Sequence, residues 1–131
     1  MSQEHVEIVR RAFEALNRGD LSGAMKDMAA DFVFDFSRSM SPERGVYGRE
    51  DIPRLQYSFG GVWESVRWEP EAFIEAASRI VTPMRTYNRG RDGIEVQTRT
   101  AWLWSFRDGR VARVTFFQDR REALEAAGPP E

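Results

Sequence analysis

The chain has 131 residues, enough for one domain with a real core, and its 41% apolar and 31% charged content is that of a folded globular protein. A formal net charge of −2 argues against a nucleic-acid or anionic-membrane surface. With no cysteine and one histidine, His5, disulfides, thiol catalysis and thiolate metal sites are excluded, and a histidine-rich zinc site has too few ligands. No apolar run reaches membrane-spanning length and residues 1–10 lack a signal-peptide core, so a cytoplasmic protein is expected.

In chain order, Val6, Val9, Phe13 and Leu16 recur at helical spacing, with Ser2 as the cap and Gly19 as the stop. His5 reads as a solvated residue in the first turn. Asp20 caps a second, short helix that carries Leu21, Ala24, Met25 and Met28 inward. Ala30 to Ser37 alternates as a strand, with Phe32, Phe34 and Phe36 on one face and Val33, Asp35 and Ser37 on the other. A carboxylate in mid-strand must face water or line a cavity with a polar partner, which makes Asp35 the leading site candidate. Arg38 to Gly48 reads as an irregular rim or lid.

A third helix starts near Glu50, Asp51 and Pro53, with Ile52, Leu55 and Phe59 on one face. Gly60-Gly61 ends or kinks it. Four strands follow: Val66 to Glu75, an edge strand because of Pro70; Ile80 to Asn88; Ile94 to Phe106; and Arg110 to Gln118. In the third of these, Val96, Thr98, Thr100, Trp102, Trp104 and Phe106 share a side. Asp119 caps a last helix, Arg120 to Ala127, stopped by Gly128-Pro129-Pro130. Trp63, Trp68 and Trp104 read as core.

This order of elements resembles the nuclear transport factor 2-like superfamily, in its SnoaL-like branch. The matching stretches run from Ile8 to Leu21, through Phe32-Val-Phe-Asp35, Tyr47-Gly-Arg-Glu50 and Phe106-Arg-Asp-Gly-Arg-Val111, to Asp119–Gly128. The resemblance implies one domain over residues 1–131 and an α+β fold. That fold is a cone-shaped curved antiparallel sheet with three helices of the N-terminal half on its concave face, plus a short C-terminal helix. It implies a homodimer through the outer face of the sheet, where Leu103, Met84 and Phe117 would otherwise form an exposed apolar patch.

The resemblance also carries site residues. The strand aspartate that acts as general base in ketosteroid isomerases matches Asp35. The isomerase oxyanion tyrosine matches Ala12, and its assisting aspartate falls at Trp102. The acid/base aspartate of polyketide cyclases and epoxide hydrolases falls near Phe116, and the hydrolases' Arg-x-Asp pair near Pro83 and Arg85. One catalytic-type carboxylate is thus kept and its usual partners are aromatic or aliphatic.

The resulting cavity set is Asp35 as the catalytic group, with Arg85, Tyr87, Thr100, Trp102, Phe116, Gln118 and Tyr57 as substrate-binding residues, and Val114 beside them. Two function classes stay open. One is acid/base chemistry of isomerase, hydrolase or cyclase type on a small apolar substrate. The other is a non-catalytic ligand-binding or dimerisation module in which Asp35 is structural, paired with Arg85. No motif implies a cofactor or a metal, and no nucleic-acid or membrane partner is expected.

Overall fold

The structure, a computed structural model, describes residues 2–128. Helix α1 (Ser2–Asn17) buries Ile8, Val9, Ala12, Phe13 and Ala15, the stripe its apolar spacing demands. The chain turns at Gly19 with φ of +77°, and Asp20 accepts a hydrogen bond from Gly23 N at 2.9 Å to cap α2 (Leu21–Ala24). Met28 is not the end of that helix. It opens strand β1 (Met28–Asp35), two residues earlier than the alternation alone suggested. Strand β2 (Val46–Gly48) lies within the stretch expected to be irregular, because its backbone pairs antiparallel with the end of β1. A 3-10 turn (Arg49–Asp51) leads into α3 (Ile52–Val62), which runs through Gly60-Gly61.

The remaining strands are β3 (Trp63–Pro70), β4 (Ile74–Ala76), β5 (Arg79–Gly90), β6 (Glu95–Arg107) and β7 (Arg110–Phe117). Pro70 ends β3, so the expected strand from Val66 to Glu75 is two strands with a break between them. They form one sheet in the order β2-β1-β7-β6-β5-β3, with β4 also on β5. Every pair is antiparallel except β1 with β7. Helix α4 (Arg120–Ala127) is capped as expected, Asp119 accepting from Glu122 N at 2.9 Å. The expected stop at Pro129-Pro130 and the side chain of Ser2 lie outside the described residues. Among the described residues no helix is long and apolar enough to cross a membrane.

The architecture is the expected α+β one. The sheet's inner face packs against α1 and α3 through Val9, Phe13, Phe32, Leu55, Ile80 and Trp104. Its outer face carries a smaller cluster, Val81, Ala101, Leu103 and Phe117, under Ala123 and Ala127 of α4. This corrects the reason given for a dimer. Leu103 and Phe117 are each only 5% exposed because α4 covers them, and Met84 belongs to the inner cluster. His5, too, is not simply solvated. Its ring stacks on Phe106 at 3.9 Å, and burial is the main cause holding its pKa below the ordinary value.

Candidate functional site: an aromatic cavity inside the sheet

The inner face of the sheet and the three N-terminal helices enclose a cavity of about 660 Å³, in the range of ordinary small-molecule sites. Helix α1 contributes Ala12 and Leu16, α2 Leu21 and Ala24, and α3 Ile52, Leu55 and Phe59. Strand β1 supplies Phe32 and Phe34, and Phe36 follows directly after it. Their side chains share a face because side chains alternate along a strand. Trp102 stands in a cluster of rings, 5.6 Å from Phe13, 5.5 Å from Phe34 and 5.9 Å from Trp104. Phe36 packs edge-on against Phe116 at 4.9 Å and Phe59 at 5.8 Å. Trp104 Nε1 donates to Thr82 Oγ1 at 3.0 Å, so the indole is satisfied inside the apolar layer.

Polar groups on the wall are few and mostly neutral: Thr86, Asn88, Thr98 and Thr100 from β5 and β6, and Gln118 after β7. Gln118 Nε2 donates to Arg38 O at 2.6 Å and ties the 37–45 loop to the cavity rim. That loop brings Met40, 86% exposed, and the half-exposed Glu43 to the lining. Among the described residues no group of three His, Asp or Glu is arranged to hold a metal.

Thr100, Trp102, Phe116, Gln118 and Val114 line the cavity, where the sequence reading put them. Asp35, Arg85, Tyr87 and Tyr57 do not. Asp35 alternates with Phe34 and Phe36, so it points to the outer face. There its Oδ1 accepts from the amide and hydroxyl of Ser37 and its Oδ2 from Arg113 Nη2 at 2.7 Å, with Arg38 Nη1 3.8 Å away. Burial pushes the Asp35 carboxyl up, but those hydrogen bonds and the Arg113 charge outweigh it and hold the carboxyl below its ordinary value. The matched strand position was therefore one residue out of phase, which reverses a side chain's face.

Arg85 and Tyr87 fail for the same reason. They pair directly with Arg99 and Gln97, while Thr86 pairs with the inward Thr98. Tyr87 instead carries the guanidinium of Arg67, 4.1 Å from its ring centre. Tyr57, on the solvent side of α3, is 85% exposed.

Thr86 and Asn88 are among the wall residues missed. The signal was present in the hairpin: the tight 90–94 turn, closed by Gly90 N donating to Ile94 O at 2.8 Å, fixes which β5 residues face Thr98 and Thr100.

A family model for the SnoaL-like domain matches residues 9–114. The chain belongs to the SnoaL-like family. Among solved structures, this SnoaL-like protein is similar to an NTF2-like protein of unknown function from Burkholderia pseudomallei, at 23% identity and TM-score 0.81, with 96% of this chain and 98% of that one covered. It is similar to TerC co-crystallised with polyporic acid, at 19% identity and TM-score 0.81, covering 95% and 97%. It also resembles a Mycobacterium tuberculosis protein in complex with estradiol-17β-hemisuccinate, at 13% identity and TM-score 0.75, covering 90% and 95%. No curated protein matches the sequence.

Proposed function

We propose that this SnoaL-like protein binds a small, flat, mostly apolar molecule whole within the inner cavity, and that Asp35 serves the fold rather than chemistry. The observation that carries this reading is the phase of β1. Phe32 and Phe34 of the strand, and Phe36 just after it, line the cavity, while its two carboxylates, Asp31 and Asp35, do not. Proton abstraction needs a base within hydrogen-bond reach of the substrate, and Asp35 lies across the sheet from the space a substrate would fill. What the walls offer is ring-stacking surface and neutral hydrogen-bonding groups, which suit recognition of an aromatic or polycyclic compound. The ligands bound by two neighbours of this fold, polyporic acid and an estradiol ester, support the same size class.

The test is a titration of tryptophan fluorescence with polyporic acid and with estradiol-17β-hemisuccinate, since Trp102 and Trp104 line the cavity. Saturable quenching by at least one of them is expected. Ala12→Phe, which fills the cavity from α1, weakens it by at least about tenfold, whereas Asp35→Asn leaves it unchanged. Absence of saturable binding by either compound, or its loss in Asp35→Asn, overturns the reading.

A further inference from the structure

One group on the cavity wall lacks a partner in the fold: the carboxamide oxygen of Asn88. This Oδ1 is closed off from solvent and has no hydrogen-bond partner. Asn88 sits near the end of β5, paired on one side with Val66 of the edge strand β3 and on the other with Val96 of β6. Neither neighbour has a side-chain donor. Thr86 and Thr98 line the same wall, yet neither donates to Oδ1. A valine or leucine here would continue the apolar surface between Val66 and Val96. A buried amide oxygen without a donor works against the ligand-free fold, and such an exception calls for a reason.

We infer that Asn88 is the specificity-determining residue of the cavity and that it reads a hydroxyl group on an uncharged aromatic ring of the ligand. This rests on the reading of the cavity as a binding site and names the ligand's class. Asn88 is only half-buried and borders the cavity, so a rotation of its side chain brings the amide to a ligand, where its oxygen accepts from an O–H and its nitrogen donates. Rings flank the group: Trp68 stands opposite Thr86 on β3, and Trp63 begins the same strand. A ligand ring therefore stacks beside the amide while its hydroxyl meets it.

The ring that meets Asn88 is uncharged because the residues around the amide, Val66, Thr86, Val96 and Thr98, carry no charge. The single cation of the lining, Arg99, is paired with Glu71 at 3.4 Å, and its single carboxylate, Glu43, is on the 37–45 loop. A site built to hydrogen-bond a hydroxyl rejects the analogue that lacks the proton.

The experiment uses two probes of nearly equal shape, 2-naphthol and 2-methoxynaphthalene, the second unable to donate. Each is titrated into 15N-labelled protein and followed in 1H–15N spectra. Both are expected to move resonances of cavity residues, with 2-naphthol bound about tenfold more tightly and alone shifting the Asn88 side-chain amide pair. In Asn88→Leu the preference disappears, 2-methoxynaphthalene binds at least as well as to the wild type, and the ligand-free melting temperature rises.

Equal affinities in the wild type, an Asn88 amide pair indifferent to 2-naphthol, or a preference that survives in Asn88→Leu overturns the inference and leaves the cavity reading standing. If neither probe perturbs the cavity residues, the cavity reading falls and the inference with it. The wild-type amide shifts decide the matter even where the leucine variant does not fold.

Discussion

Arg113 Nη2 donates to Asp35 Oδ2 at 2.7 Å across 78 residues of sequence, on the side of the sheet away from the cavity. The pair joins the one parallel contact in the sheet, where β1 runs beside β7 and Val33 is aligned with Arg113. Arg113 is held in place by its own Nε, which donates to Thr115 Oγ1 at 3.3 Å. The Asp35 side chain is 11% exposed, but that of Arg113 is 45% exposed, so solvent screens the attraction.

Asp35→Asn and Arg113→Met are each expected to destabilise the protein by about 1 kcal/mol, with a coupling of about 0.5–1 kcal/mol in the double variant. The asparagine still accepts from Ser37, which limits the loss. Arg85→Met, on β5 with two strands between it and β1, adds to Asp35→Asn without coupling. Urea denaturation of wild type, the three single variants and the two double variants measures this. Zero coupling with Arg113, or strong coupling with Arg85, would contradict the assigned pairing.

The same carboxylate sets a pH dependence. A group whose folded pKa is depressed stabilises the fold above its unfolded value and loses that contribution as pH falls through the folded value. Asp35 is lowered from an ordinary value of 3.8 by Ser37 and Arg113, against the opposing effect of burial. Stability is therefore expected to drop from about pH 4 downward, and Asp35→Asn flattens part of that drop. Parallel melts of wild type and variant between pH 3 and pH 6 should converge at the acid end. Curves that stay equally spaced throughout would argue against it.

Asn17 at the end of α1 acts as a substitute strand. Its Nδ2 donates to Trp68 O at 2.8 Å and its Oδ1 accepts from Trp68 N at 2.8 Å. The two bonds satisfy backbone groups of the edge strand β3 and hold α1 over the cavity-lining Trp68. Asn17→Ala removes both and is expected to destabilise by about 1–2 kcal/mol. Hydrogen exchange should accelerate at the Trp68 amide before the rest of β3 responds. An unchanged Trp68 amide would show that the backbone is held by other means.

How far the sequence reaches can be followed residue by residue. Periodicity set α1, α3, α4 and the long strands, because a period of 3.6 or 2 is written locally and needs no partner. The Asp119 cap was legible for the same reason: donor and acceptor lie three residues apart. The inward row of β6, Thr98, Thr100, Trp102 and Trp104, followed from alternation once the bulky residues had to face a core.

Alternation also had Phe34 and Phe36 opposed to Asp35, but it does not say which face is inside. That choice depends on where β1 lies in the sheet. Its place between β2 and β7 is a contact between segments some eighty residues apart, with Phe34 aligned with Val114. A one-residue error in matching reverses every side chain on a strand, and this is what sent Asp35, Arg85 and Tyr87 to the wrong face. The covered patch at Leu103 and Phe117 was decided by α4 folding back on the sheet, a packing event the chain does not announce locally, while Met84 faces inward with its β6 partner Thr100. The sequence by itself therefore determined the main helices and long strands, their family and the aromatic character of the cavity. Only the tertiary structure decided which polar groups reach it, because orientation across a sheet is set by long-range register and not by residue type.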